Sequence, residues 1–359
     1  MKRIFSVILV LILSSFVFAQ NTAVQQKPLT QAEYVKMLYD LQKNPGNVED
    51  LVEMVRKRGI GFELTDGIRG LTRTKGANNE ELKRALEEAE RRRQNPAAAK
   101  LPSEKESGEV LEKARQNTLG AVKEMPDFVV KQLIGRSAAY AGTNNWKNLD
   151  NLIIAVSYSE EKGEEYRVLA INGTRINAEK GSNYGGLDGA TTGGEFVEDL
   201  EKIFKSDSQT KFNLVDTDVV RGHKTIIYDY EILIDNNKSG ISYSKGTFSS
   251  STPTGQKGRI WIDSETFRVL KLQWQATDIA STFPIKAFTK AIEYDWVEIS
   301  EQKYLLPILS DARFTALSDR TLYQTRNLIN FKNYQKYGSE VKILDGDEVE
   351  VKDEEKPKQ

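Results

Sequence analysis

A chain with one histidine and no cysteine has few routes to side-chain catalysis. His223 stands in Arg221-Gly222-His223-Lys224, a turn between two apolar stretches, where an exposed histidine without a partner is the expected reading. A serine triad would have to use it, yet no serine lies in a Gly-x-Ser-x-Gly elbow. Thiol nucleophiles and multi-histidine metal sites are excluded by composition. Acid pairs remain: Asp216 with Asp218, and Asp263 with Glu265, either of which would suit a metal or glycoside chemistry. Asp263-Ser-Glu-Thr266 has ordinary β-turn composition, however. Asp235 to Gly240 resembles the start of a calcium loop, but its twelfth position is Gly246 where a glutamate is needed, so a hairpin loop is expected. The glycine-rich run Gly181 to Gly194 leads toward a helix N-terminus, a place where backbone N–H groups hold anions. It lacks the lysine of a phosphate loop, and Thr192 with Glu195 reads as a capping box, so a strand-to-helix connection is the expected use.

The remaining constellation is aromatic: Trp261, Trp274, Phe283, Phe288, Tyr294, Trp296 and Phe314. Two readings stand. These rings fill a core, or those at Trp261, Trp274, Phe288, Tyr294 and Trp296 line an apolar cleft able to take a lipid or acyl chain.

The elements that carry these residues follow from periodicity. Thr30 with Glu33 forms a capping box ahead of Tyr34, Met37, Leu38 and Leu41 at helical spacing. Asn47 with Asp50 opens a second helix that Gly59 closes, Thr65 caps a third that ends near Gly76, and Asn78 with Glu81 caps a fourth through Ala89. Residues 30–93 therefore read as an all-α module, with the alternating acids and arginines of 87–93 as a solvated face. Gln94 to Gly108 has linker composition, and Ser103 with Glu106 caps a connecting helix that reaches Glu124.

Beyond Pro126 the period becomes two. Leu270, Leu272 and Trp274 alternate with Lys271, Gln273 and Gln275, which marks a sheet with one buried and one wet face. Asn172-Gly173 is the strongest hairpin signal. Residues 126–344 read as one domain of eight to eleven antiparallel strands with one or two helices, curled into an open half-barrel; the fold class is α+β. The tail 345–359 is rich in acids and lysines and is expected to be disordered.

Lys2 and Arg3 precede an apolar run to Phe18 with small residues at Val17 and Ala19, the pattern of a secretory signal peptide cleaved near Ala19. A periplasmic or secreted location is expected. With no disulfide available, stability must come from a buried core. Lys plus Arg (51) and Asp plus Glu (52) nearly cancel, which gives no electrostatic footprint for nucleic acid.

Gly258 to Leu272, Ala291 to Ile299, Tyr304-Leu-Leu-Pro307 and Asn327 to Tyr337 resemble uncharacterised exported proteins of acidobacterial type and, through them, the LolA/LolB lipoprotein-carrier superfamily. That resemblance covers about residues 126–344 and implies an eleven-stranded half-barrel, covered by helices, that holds acyl chains. It implies a lipid or lipoprotein ligand; no cofactor is expected. The helical module, similar to short helical repeats beside other envelope domains, is expected to dock an envelope protein. The function expected is non-catalytic binding, with a carboxylate-dependent hydrolase and a pure interaction module as the alternatives.

Overall fold

The computed structural model describes residues 27–96, 100–143, 145–176, 184, 187, 190–245, 248–318 and 320–337. The signal-peptide pattern, the charged tail and most of the glycine-rich run lie outside them. The chain divides into two compact units, one ending at Gln94 and the other beginning at Asn95.

The first unit holds α1 (Gln31–Asp40), α2 (Val48–Arg58), α3 (Asp66–Lys75) and α4 (Glu80–Gln94). Both halves of the Thr30–Glu33 capping box are present, and Gly59 ends α2 at φ 69°. Thr65 caps α3. Two caps differ from expectation. Asn47 precedes α2 but makes no side-chain cap, because a short 3-10 turn leads straight into the helix. For α4 the capping side chain is Asn79, whose Oδ1 accepts the Leu82 N–H at 2.8 Å, one residue later than expected. Ala77 and Asn78 take left-handed φ angles of 51° and 57°, and that turn postpones the helix start. The apolar stripes bury Tyr34, Leu38, Leu51, Val55, Leu82 and Leu86 in one core.

The second unit opens with α5 (Glu104–Lys123), which starts inside the expected linker under the Ser103–Glu106 capping box. It packs against the sheet through Ala114, Val110 and Leu111. The sheet has eleven antiparallel strands. In chain order these are β1 (Phe128–Tyr140), β2 (Lys147–Ser159), β3 (Gly163–Ile171), β4 (Thr174–Arg175), β5 (Lys211–Val220) and β6 (His223–Ile232), then β9 (Gly255–Asp263), β10 (Val269–Thr277), β11 (Ile285–Ile299), β12 (Gln302–Ser318) and β13 (Thr321–Lys336). Their spatial order is β4-β3-β2-β1-β13-β12-β11-β10-β9-β6-β5, so the sheet is open, with β4 and β5 at its edges. A separate hairpin, β7 (Gly240–Lys245) with β8 (Phe248–Pro253), puts Ile241 against Phe283 and Phe288. The chain is α+β, a helical part followed by a large antiparallel sheet that does not close into a barrel.

Strand alternation gives the sheet an inner face covered by α5 and α6 (Glu198–Phe204). Asn172 and Gly173, at φ 48° and 76°, make the β3–β4 turn that only such a pair forms readily.

Candidate functional site

The middle of the inner face is sealed by the chain itself. Residues 190–197 cross it between β4 and α6, and each step is tied down. Asn327 Nδ2 donates to Ala190 O at 2.8 Å, Lys290 Nζ to Gly193 O at 2.7 Å, and Gly194 N–H to Glu164 Oε2 at 3.1 Å. Phe196 then sits between Phe128 and Phe331, ring centroids 5.2 and 5.4 Å away. A Cβ at Gly193 would meet the Tyr166 hydroxyl at 2.9 Å, so a larger residue there would have to displace that ring, and Gly194 takes φ 81°.

Under this strap lies a buried ionic cluster. Lys290, on β11, stands 2.8 Å from Asp199 Oδ2 and 3.1 Å from Glu195 Oε1, and all three side chains are at most 5% exposed. The Glu195 contact is close enough for an ion pair but off the line of a hydrogen bond, so both Glu195 oxygens lack a hydrogen-bond partner among the described residues. Burial disfavours the ammonium, but Asp199 and Glu195 outweigh it and hold Lys290 above the ordinary lysine range. Glu164 behaves oppositely. Burial, reinforced by the charge of Glu195, raises its pKa from 4.5 to about 7, against the Tyr166 hydroxyl and Gly194 N–H that bond to it. Tyr184 is pushed up to about 12, first by burial and then by Glu195.

This cluster contradicts the expected capping role of Thr192 and Glu195. The helix starts later, at Glu198 with Val197 before it, and makes no side-chain cap. The Glu195 side chain turns inward to the Lys290 ammonium. Lys290 itself was missed, although the signal was present: in Phe288-x-Lys290-x-Ile292-x-Tyr294 it occupies a core-facing position.

An opening lies at one end of the inner face. There Ala121, Glu124 and Met125 at the end of α5 face Trp296 on β11, Tyr304, Leu305 and Leu306 on β12, and Arg268, around a cleft of about 360 Å³. Trp296 is 41% exposed. Burial lowers the Arg268 pKa, and its guanidinium bonds to Asn117 O.

The five expected cleft residues are thus dispersed. Only Trp296 lines this opening. Tyr294 is fully buried, its hydroxyl donating to Glu195 O at 3.4 Å. Trp274 and Phe288 pack edge to face at 4.9 Å in the core beside the β7–β8 hairpin, with Lys202 over the indole at 5.8 Å. Trp261 points to the opposite face, where Lys271 lies 5.4 Å over its ring and Nε1 donates to Asp218 Oδ2 at 3.1 Å.

The acid pairs do not converge either. Asp263 Oδ1 accepts the N–H groups of Glu265 and Thr266 and so closes its own turn. The other Asp263 oxygen lies 3.0 Å from His223 Nδ1. The histidine is half exposed as expected but does have a partner, because antiparallel pairing sets Thr225 of β6 opposite Asp263 of β9 and so brings their strand ends together. Among the described residues no group of three or more acids and histidines is placed to hold a metal ion.

No protein-family model matches the chain. No curated protein matches it either. Among solved structures, a LolA superfamily protein of Nitrosomonas europaea aligns at 10% identity and TM-score 0.31, covering 64% of this chain and 92% of that one. An outer membrane lipoprotein-sorting protein domain of Vibrio parahaemolyticus, described as putative, aligns at 14% identity and TM-score 0.33, with 64% and 93% covered. A DUF1329 family protein of Desulfovibrio piger aligns at 11% identity and TM-score 0.29, with 64% and 95% covered.

Proposed function

We propose that the chain is a non-catalytic binding protein of the cell envelope whose ligand is an amphiphile such as a lipid or the acyl part of a lipoprotein. The carrying observation is the cleft beside α5. It has about 360 Å³ of space, within the range of small-molecule sites, and an exposed indole over walls of Ala121, Met125, Leu305 and Leu306. Arg268 and Lys303 line it too and supply positive charge for an anionic head. The envelope setting rests on the leader pattern of residues 1–19.

The cleft, rather than the middle of the sheet, is the proposed site because the strap fills the middle with Phe196 and α6 fills it with Ile203 and Phe204. Binding of a fluorescent fatty acid tests this. The wild-type chain should bind the probe and Trp296→Ala should weaken it about tenfold or more, equivalent to about 1.4 kcal/mol, with an unchanged melting temperature. A wild type that binds no probe, or a Trp296→Ala variant that binds equally well, refutes the assignment.

A further inference from the structure

The two ends of the sheet differ in chemistry. At one end, the β1–β2 and β12–β13 turns lie side by side because β1 pairs with β13. Five of the eleven exposed large apolar side chains among the described residues gather there: Tyr140 (58% exposed), Leu149 (57%), Leu317 (46%), Leu322 (44%) and Tyr323 (38%). Tyr140 and Tyr323 are cross-strand partners with ring centroids 5.0 Å apart, and Leu317 pairs with Leu322. These cross-strand contacts still leave each of the five side chains more than a third exposed, at strand ends that lead into turns, where polar residues are the ordinary choice.

Cations are interleaved with these side chains. Lys147 and Arg320 are exposed at the two turns. Arg313 and Arg326 flank the Trp146 ring at 5.8 and 5.9 Å, sharing the single carboxylate of Asp311. Lys147, Arg313, Arg320 and Arg326 thus outnumber Asp311 and, in the sequence between β12 and β13, Asp319 two to one, and Arg136 and Asp150 nearby pair with each other, in a chain whose formal net charge is -1. At the opposite end Glu160 and Glu161 outnumber Lys162 in the β2–β3 turn, and Glu298 and Glu301 outnumber Lys303 around the β11–β12 turn. Large apolar and aromatic side chains mixed with lysine and arginine suit a bilayer interface, where tyrosine and tryptophan sit at headgroup depth and cations meet lipid phosphates. The acidic opposite end is repelled by the same surface, so the asymmetry also sets an orientation.

We propose that the β1–β2 and β12–β13 turns dock this protein on an anionic lipid surface. Leu149, Leu317, Leu322 and the paired tyrosines enter the interface while Lys147, Arg320 and the arginines beside Trp146 engage phosphates. This site is separate from the Trp296 cleft, and its test uses a different readout, so either can fail alone.

The test is co-sedimentation of the full chain with phosphatidylcholine vesicles, with and without phosphatidylglycerol. It compares wild type, Lys147→Glu/Arg320→Glu and Leu317→Ser/Leu322→Ser, whose substituted residues are exposed enough to leave the fold intact. The apolar run of residues 4–18 is common to all three, so the differences between them report the turns. The charge-reversed variant should lose at least roughly fivefold in partitioning per cation on phosphatidylglycerol vesicles alone. The leucine variant should lose on both. Equal binding by the three chains overturns the proposal. So does concentration-dependent self-association of wild type, without vesicles, that both variants abolish, because the turns would then meet a second copy of the chain.

Discussion

The middle of the inner face and its end beside α5 are made by the same strands with the same alternation, yet one is sealed and the other open. In the middle, strap residues 190–197 and α6 lay Phe196, Ile203 and Phe204 over the sheet and trap Lys290 with Glu195 and Asp199. Beside α5 the helix ends at Lys123, and beyond that point nothing described covers the Trp296 ring. A core-facing position on a strand therefore does not decide between core and ligand site; the covering segment does. The difference also separates energetics, because a buried charge is held by its partners while an exposed indole is held by little.

The largest effect is expected at Lys290. Lys290→Met removes the cation and strands two buried carboxylates, which should destabilise the chain by about 3–5 kcal/mol in urea unfolding. A neutral result would mean that the middle of the face is not sealed as described. Glu164 gives a pH signature of nearly that size. Its folded pKa of about 7 exceeds the ordinary 4.5, so the native chain keeps a proton that the unfolded chain has lost between those values. Stability should fall as pH rises from about 4.5 to about 7, by up to about 1.4 kcal/mol per pH unit, and this contribution should then level off. Glu164→Gln should flatten that slope, and an unaltered slope would place its origin elsewhere.

Trp274→Ala should come next. Its ring is only half buried but packs on Phe288, so a loss of about 2 to 3 kcal/mol is expected, below the range of about 3–5 for a core tryptophan. Trp296→Ala should change stability least, within about 0.5 kcal/mol, as for a surface site. Thermal melts of the two variants side by side sharpen the contrast, and equal losses would erase it.

Much of the scaffold was legible because local rules governed it. Thr30 with Glu33 and Ser103 with Glu106 form their capping boxes without help from the rest of the chain, and Asn172-Gly173 makes its turn through backbone preference alone. What failed depended on distant partners. Trp261 sits in Arg259-Ile-Trp-Ile-Asp263, where apolar residues occupy both parities, so only its pairing opposite Lys271 assigns its face. Glu195 resembled a cap because Thr192 stands three residues before it, but a buried ammonium 95 positions away claims it. His223 looked solitary until β6 and β9 paired. The open cleft was the least legible part, since it depends on where α5 stops covering the sheet.

The pairing of β1 with β13 has a consequence in time. At about 5–20 residues per second, the roughly 180 residues between Tyr140 and Thr321 take roughly ten to forty seconds to synthesise, and until they appear one flank of β1 has no partner. That flank belongs to Phe-Val-Val-Lys-Gln-Leu-Ile, an apolar edge of the kind that recruits foreign strands. The interval is imposed by strand order alone, so any factor that shields a nascent edge should act on this chain before residue 321 and lose its purchase after residue 336.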